Sequence, residues 1–406
     1  MSTTTETDPL DVVVIGAGPA GIGVGVALLE LGLDVRIFDR EEIGASFRAW
    51  PEEMRLLTPS FPGGFGQTDL NAIAPNTSPA FALDSEHPTG REYAEYLDGV
   101  VEFYDLSVKT GVEITGVEVV SDQSNDAETL AVDGGTSGFE LETTEESVHS
   151  RFVVWAAGEF GSPRRDPFSG GENCVHTADV ESWTEYEKRG EEFLVIGGYE
   201  SGIDAAIGLI ENGACVTVLD SGAPWGLRHP DPSEALSPYT RDRLEGALDT
   251  GRLTLVHGAR VERVSVDSQY HVEVTPQKLD FDAKPATDAI RDPKEEYPTE
   301  TSPILATGFK PTLGPVSEQF PREDGTVELS DRDESPETPG LFLAGPGVAH
   351  KNVEFCFIYK YRTRFPVIAE TIGERLGVDT DPLEKYKEEN MYLGDLECCE
   401  ANLCDC

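Results

Sequence analysis

Positive charge is what this sequence has least of. Lys and Arg number 31 against 76 Asp and Glu over 406 residues, for a formal net charge of -45. A phosphate backbone needs a basic stripe to neutralise it, so a nucleic-acid partner is excluded. Long apolar runs are missing as well. No stretch approaches the ~18 apolar residues of a membrane-spanning helix, and the start of the chain lacks a basic region followed by an apolar one. We therefore expect no membrane partner and a cytoplasmic location. Cysteine is sparse, at seven residues. No CxxC is present, the one CxxxxC spacing (Cys399 to Cys404) falls in the last residues of the chain, and cytoplasmic thiols stay reduced unless they are in redox use.

What remains is enough to fold. Hydrophobic residues make up 38% of the chain, and uninterrupted segments such as Val12-Val13-Val14-Ile15 and Phe193-Leu194-Val195-Ile196 recur, unlike a disordered acidic chain. The length implies two domains. Acid spread over a foldable chain suits a halophilic setting. At roughly 1 M salt the Debye length is about 3 Å, so the self-repulsion of such a surface is screened.

Leu10 to Ile15 reads as a buried strand, followed by a glycine-rich turn, an apolar helix to about Gly32, and a strand from Asp34 to Asp39. The turn is Gly16-Ala17-Gly18-Pro19-Ala20-Gly21. In a strand-turn-helix of this kind Gly16 permits the turn, Gly18 leaves room for a pyrophosphate, and Gly21 lets helix and strand close together. The anion sits on the helix N-terminus, where free N–H groups and the dipole favour it. Asp39 ends the second strand, placed to accept the hydroxyls of an adenosine ribose, and Arg40 follows as a further candidate contact. A second unit of the same kind runs from Glu192 to Asp220, with Gly197-Gly198-Tyr199-Glu200-Ser201-Gly202 at its turn. Tyr199 stands where the middle glycine belongs, so its side chain must point away or the dinucleotide must shift. Ser201 could donate to phosphate. Asp220 ends the next strand and favours NADH over NADPH by repelling a 2'-phosphate, unless the nearby Arg228 overrides it.

Between and after these units the pattern weakens. Residues 41–89 are irregular and rich in Gly, Pro and Ser, as a segment lining or covering a site would be. A helix is expected from Gly90 to about Thr110, short strands near 112–120, 139–143, 148–155, 253–256, 260–266 and 270–275, and a patternless solvated excursion over 276–300. Two glycine-ended strands follow, Pro303 to Gly308 and Gly340 to Gly345, and an amphipathic helix closes the fold near Leu376.

The whole arrangement up to about residue 376 resembles the two-dinucleotide-binding flavoprotein superfamily, which includes flavin-containing monooxygenases, thioredoxin reductases and bacillithiol-disulfide-reductase-like proteins. Ala306-Thr307-Gly308-Phe309 is similar to the alanine-threonine-glycine motif of that group, and Trp155-Ala156-Ala157-Gly158 to its earlier copy. Gly340 to Gly345 resembles the late flavin-binding strand, with Pro346 where an aspartate commonly follows. Glu42-Ile43-Gly44 with Phe47 and Trp50 resembles the segment that crosses the flavin. The resemblance implies an α/β fold of two Rossmann-like dinucleotide-binding domains, the second inserted into the first. It implies FAD and NAD(P)H as cofactors. The expected limits are 1–170 and 311–376 for the FAD-binding domain, 171–310 for the NAD(P)-binding domain, and 377–406 for an acidic, cysteine-rich tail. It further implies hydride transfer from nicotinamide to flavin, then to a small-molecule or protein thiol or disulfide. Monooxygenation and a redox-sensing or sulfur-carrying scaffold are the alternatives, and a homodimer is compatible with the group. Phe168-Ser169-Gly170 with His176 is an imperfect match to the monooxygenase fingerprint, so His176 is either gating or ordinary.

The cysteines divide in two. Cys174, Cys215 and Cys356 are isolated; Cys215 begins a buried strand, and Cys356 lies in core or faces the flavin. Cys398, Cys399, Cys404 and Cys406 crowd the end of the chain. They read as a redox relay, made mobile by a charged segment from Asp379 to Glu389, or as a metal site of unknown kind. Lys351 and Lys360 stand out in so lysine-poor a chain, paired with surface acids or placed beside FAD or substrate. The charge itself gives the first test. Circular dichroism and flavin retention should both be lost below a few tenths molar KCl, and a spectrum unchanged down to near-zero salt would contradict this.

Overall fold

The computed structural model describes residues 9–63, 68–120, 138–229, 231, 233–279, 289–323, 325–351 and 353–396. The apolar run Leu10–Ile15 forms the centre of a first sheet, parallel to Val35–Phe38 on one side and to Val148–Trp155 on the other. Strands buried on both faces have no polar side to show, which is why these runs lack alternation. Val108–Lys109 extends the sheet beyond Val35–Phe38, and the antiparallel Phe139–Thr143 and Ile114–Val119 complete the other edge. A second sheet is wholly parallel: Ile290–Arg291, Leu253–Val256, Cys215–Leu219, Glu192–Ile196, Ile304–Leu305 and Val175–His176, in that order. Only after this sheet does the chain return, as Leu341–Leu343, to pair parallel with Val153–Trp155 of the first. The fold is therefore α/β with two Rossmann-like units, the second inserted into the first, as the sequence implied.

The helix Pro19–Glu30 packs against the closing helix Phe365–Leu376. Gly23 makes that approach possible, since a Cβ there would lie 2.2 Å from the Phe365 ring. Several expectations need correction. The helix that opens on the Thr89–Glu92 capping box stops at Tyr104, because Asp105 turns left-handed (φ 51°) and leads into Val108–Lys109. The 276–300 stretch is only partly an excursion. Ile290–Arg291 edges the second sheet, and Glu296–Thr299 completes a small antiparallel sheet with Ala259–Val266 and Tyr270–Pro276. Ile290 and Tyr297 anchor these strands on two apolar clusters, a pattern that the surrounding charges hide. Cys215 begins its strand but is exposed. Residues 379–389 do not swing freely: Leu383, Tyr386, Met391 and Leu396 are buried in the first core, and Lys385 pairs with Glu30. The four tail cysteines lie outside the described residues.

The irregular 41–89 segment reaches across to the inserted unit. Glu53 accepts hydrogen bonds from Ser182 Oγ (2.7 Å), Trp183 N (3.0 Å), Thr184 N (3.1 Å) and Thr184 Oγ1 (2.8 Å), capping the Trp183–Glu187 helix of the insert. His87 stacks on Tyr239 with centroids 4.0 Å apart. Partial burial raises the Glu53 pKa, but the bonds from Ser182, Trp183 and Thr184 outweigh it and hold the carboxyl at about 2, against an ordinary 4.5. A carboxyl depressed in this way stabilises fully above its unfolded pKa, and the contribution fades as pH falls from 4.5 towards 2. Glu53→Gln should cost about 1 kcal/mol at neutral pH, the scale of a lost helix cap that solvent partly screens. It should also flatten the acid limb of the stability curve. Thermal melts in molar KCl showing neither change would refute this role.

Candidate functional site

The site begins with one construction made twice. At the first turn Gly16 has φ +109°, and a Cβ on it would meet Ala156 O at 2.4 Å; Gly21 lies so close that its Cβ would sit 1.8 Å from Gly16 O. Asp39 Oδ2 accepts from Ala17 N at 2.6 Å, and its Oδ1 from Glu41 N at 2.8 Å. In the insert Gly197 has φ +105° and would meet Ala306 O at 2.3 Å, while Gly202 would meet Gly197 O at 1.9 Å. Asp220 Oδ2 accepts from Gly198 N at 2.7 Å, and its Oδ1 from Gly222 N and Ala223 N, each at 2.7 Å. The strand-end acid thus fixes the turn in both units. Arg40 is exposed beside Glu41, and Arg228 is exposed as well.

Gly18 is the exception to this tightness. It caps the Pro19–Glu30 helix in ordinary extended geometry (φ -87°), no side chain caps that helix, and a Cβ at Gly18 would meet nothing within 4 Å. The first helix start is an open cradle. Pro19 occupies the first turn, where its missing N–H costs nothing. The end of the late strand closes in beside it: Gly345 (φ +105°) would place a Cβ 3.1 Å from that of Ala20, and Pro346 follows half-buried. Gly44 N donates to Ala17 O at 3.0 Å, so the segment after the second strand meets this turn. Phe47 packs against Trp50 and Tyr93 with tilted rings, centroids 4.6 and 4.9 Å apart, and both Phe47 and Trp50 are half-buried.

The insert's helix start is built differently above the same frame. Tyr199 takes the Gly18 position with φ -89°; its ring packs on the second core and its hydroxyl donates to Ala235 O at 3.3 Å. The side chain does point away. Trp225 lies over Gly198, where a Cβ would be 2.2 Å from the indole. The Glu200 carboxylate turns towards Ser237 and Thr240, leaving the Glu200–Glu211 helix without a side-chain cap and Ser201 half-buried at its start.

Two linkers join the units side by side. Gly158 (φ +66°) follows Ala157, and its carbonyl accepts from Thr312 N at 2.8 Å; Thr307 Oγ1 donates to Arg164 O at 2.6 Å, and Arg164 N to Gly308 O at 2.9 Å. His176 belongs to this junction. It is buried, its Nδ1 accepts from Ala178 N at 3.1 Å, and its Nε2 lies 3.2 Å from Gly308 O. Burial lowers its pKa, so it is a neutral capping histidine. Cys174 is pushed up to about 12 by burial and then by Glu172, as a core thiol.

Sequence reasoning missed the part that meets this junction from the far end of the chain. Lys360, Arg362 and Arg364 are all buried in one stretch. Lys360 Nζ donates to both Asp231 oxygens (2.7 Å each) and to Ser233 Oγ (2.8 Å), in the insert. Arg362 Nη1 donates to Ala72 O at 2.8 Å and to Asp69 O. Arg364 grips Asp333 (Nε to Oδ2, 2.8 Å), whose Oδ1 also meets His350 Nε2 at 2.5 Å. The one available signal was the rarity of lysine, which singled out Lys351 and Lys360 and neither arginine.

Residues 13–345 match the pyridine nucleotide-disulphide oxidoreductase family. The chain belongs to that family. Bacilliredoxin reductase Bdr of Bacillus subtilis is 22% identical over 89% of this chain and 97% of its own length. The solved bacillithiol disulfide reductase Bdr of Staphylococcus aureus superimposes with a TM-score of 0.68 at 18% identity, covering 91% of this chain and 99% of that one. A flavin-containing monooxygenase of Stenotrophomonas maltophilia gives 0.64 at 17% identity over 91% and 99%. The family member described here is an FAD-dependent oxidoreductase that draws on NAD(P)H, and the open cradle at Gly18 fits the pyrophosphate of FAD. Gly18→Leu should fold, since nothing crowds that Cβ, yet copurify with less than about a tenth of the wild-type flavin, a loss of ~1.4 kcal/mol or more in binding. Retained flavin in a folded Gly18→Leu protein would show that the dinucleotide lies elsewhere.

Proposed function

We propose that this chain reduces a disulfide with NADH: NADH, a proton and RSSR become NAD⁺ and two RSH. The observation that carries the reading is the doubled construction, two uncapped helix starts on twin glycine turns, with the closing segment packed on both units. FAD, when bound, supplies the two-electron chemistry between nicotinamide and disulfide. The chain's share is to bind, orient and exclude water.

Gly16, Gly18, Pro19, Ala20, Gly21, Asp39 and Arg40 are assigned to the adenosine and pyrophosphate of FAD. Phe47, Trp50, Ala157, Gly158, Gly345 and Pro346 are assigned to its flavin end. Gly197, Gly198, Ser201, Gly202 and Asp220 are assigned to the nicotinamide donor, and Thr307 and Gly308 to the linker beside it. On these assignments residues 1–170 and 311–376 form the FAD-binding part and 171–310 the NAD(P)-binding part, with 377–396 packed onto the former. A disulfide acceptor is supported by the family's description and by the bacillithiol disulfide reductase among its structural relatives. It is supported further by His176, whose two nitrogens are engaged in capping rather than free for gating. Among the described residues no cluster of His, Cys, Asp or Glu could hold a metal, and no helix is long and apolar enough to cross a membrane. We assign Cys398, Cys399, Cys404 and Cys406 to an internal disulfide relay, and the protein to a salty cytoplasm, with a homodimer as its assembly.

Asp220 should make NADH the better donor by about tenfold in kcat/KM, ~1.4 kcal/mol of discrimination. Under anaerobic conditions NADH should release two further thiols from oxidised enzyme, a gain absent from the Cys398→Ala/Cys399→Ala variant. A preference for NADPH would count against the Asp220 assignment. A stoichiometric metal that persists through turnover, with an unchanged thiol count, would count against the relay.

A further inference from the structure

We propose that Lys360 is a positioning residue for hydride transfer: by pinning Asp231 and Ser233 it holds the loop that flanks the insert's glycine turn in register with the arm beside the first turn. The inference rests on the assignment of the insert's turn to the nicotinamide donor, and it holds whichever acceptor follows the flavin.

The chain between Asp220 and Ser237 begins and ends on the insert's cradle. At its start the Asp220 carboxylate accepts from Gly222 N and Ala223 N, and the Trp225 indole covers Gly198. At its end the Tyr199 hydroxyl donates to Ala235 O at 3.3 Å, and the Glu200 carboxylate accepts from Ser237 N. Arg241 ties the two sides together, donating from Nη2 to Leu227 O at 3.2 Å and to Leu236 O at 3.1 Å. A loop bonded in this way moves with the turn it flanks. Asp231 and Ser233 are its handle. Ser233 N donates to Asp231 Oδ1 at 2.8 Å, and Lys360 Nζ donates to both Asp231 oxygens at 2.7 Å and to Ser233 Oγ at 2.8 Å. An ammonium has three N–H donors, and three acceptors of this loop match them. None is left over for a substrate, so Lys360 holds rather than reacts.

The other end of the contact belongs to the first unit. Lys360 lies in the short helix Ile358–Tyr361, on the arm that leaves the Gly345 turn beside Ala20. Phe355 N donates to Val348 O at 3.0 Å and closes the base of that arm. Arg362 and Arg364 clamp the following residues to Asp69, Ala72 and Asp333, all in the FAD-binding part. Of these three buried cations Lys360 alone turns to the insert. Cys356, on the same arm, adds a second contact there, its sulfur 3.0 Å from Ser233 Oγ. Two other ion pairs span the boundary, Arg165 with Asp179 and Lys310 with Asp166, and both of their cations are exposed. Lys360 is buried. In molar salt an exposed pair is screened and contributes little, whereas a buried pair keeps its strength. Burial works to raise the Asp231 pKa, but the bonds from Lys360 and Ser233 outweigh it, so the carboxyl stays below its usual range and remains charged.

The step served is the transfer of two electrons from NADH, with one proton, to FAD, and Lys360 neither gives nor takes a proton in it. Such a transfer tolerates little play. Reacting atoms must approach to about 3–3.5 Å, and a displacement of ~1 Å costs on the order of 100-fold in rate. Each dinucleotide is gripped by its own turn, so affinity is set locally within each unit. The distance between the two reacting rings is set by what joins the units. Loss of the Lys360 contact should therefore separate rate from affinity.

The test uses the full-length holoenzyme in molar KCl without oxygen. In stopped flow, Lys360→Met should lower the limiting rate of flavin reduction by NADH on the order of 100-fold, with the NADH dissociation constant within about threefold of wild type. Flavin content, and reoxidation of the dithionite-reduced variant by ferricyanide, should stay at wild-type values. Asp231→Asn should lower the same limiting rate by about tenfold, and it probes the same contact if Lys360→Met does not fold. The double variant should be no slower than Lys360→Met, as for two ends of one contact. Apart from turnover, hydrogen exchange of the oxidised holoenzyme should rise at least about tenfold over 225–236 in Lys360→Met and stay unchanged over the Pro238–Asp249 helix. In wild type, NAD⁺ should slow exchange over 197–203. Equal slowing of reduction and reoxidation, a weaker NADH affinity at unchanged limiting rate, or unchanged exchange over 225–236 overturns the role of Lys360 and leaves the donor assignment standing. NAD⁺ that protects nothing over 197–203 overturns both.

Discussion

The carboxylate at the end of each second strand is the contact on which the rest of this structure depends. Asp39 on Ala17 N and Asp220 on Gly198 N each tie a glycine turn to the neighbouring strand. The tie brings the turn so near the adjoining strand end that only glycine fits at Gly16 and Gly197. From that fixed turn the helix leaves with its first amides free and pointing at whatever anion arrives. One such turn stands at the centre of each sheet, and each leaves a helix start without a side-chain cap. The rest of the chain then has one main task, to hold the two turns at a constant relation to each other.

Cations do much of that holding, and in this chain they are scarce. Lys360, Arg362 and Arg364 alternate along one stretch, and each reaches a different partner: the insert, the 41–89 segment, and the turn at Asp333. Each is buried and paired or bonded to carbonyls, as a charge removed from water must be. Buried charge here has both signs, with Asp69, Asp204, Asp333, Glu200 and Glu334 inside together with the three cations. Salt that screens the surface therefore leaves these buried contacts largely untouched.

The sequence made the fold legible where local physics is strong. Uninterrupted apolar strands, paired glycine turns and terminal acids gave both units, their nesting and the closing helix. The structure bears out the turning away of Tyr199. What stayed hidden depends on partners distant in sequence. Glu53 looks like any surface acid until Ser182 and Thr184 are placed beside it, and Cys356 looks like core until Ser233 arrives from the insert. Cys215 misled because a strand's first residue need not share the burial of its middle. The 379–389 segment misled because its charges outnumber the few side chains, Leu383 and Tyr386 among them, that bury it.

The nesting of one unit in the other also sets an order of events during synthesis. The edge of Val148–Trp155 is shared: its first half pairs with Phe139–Leu141, and its second half waits for Leu341–Leu343. Until the ribosome has made the whole insert, Val153 to Trp155 presents an unpaired parallel edge of apolar residues, the kind of edge that invites wrong pairing. Thermodynamically the wait costs little, because loop closure grows only slowly with length. Geometrically, the two ends of the insert must come together for that pairing to form. The nascent chain meanwhile relies on its surplus of acid to keep neighbouring copies away from that open edge.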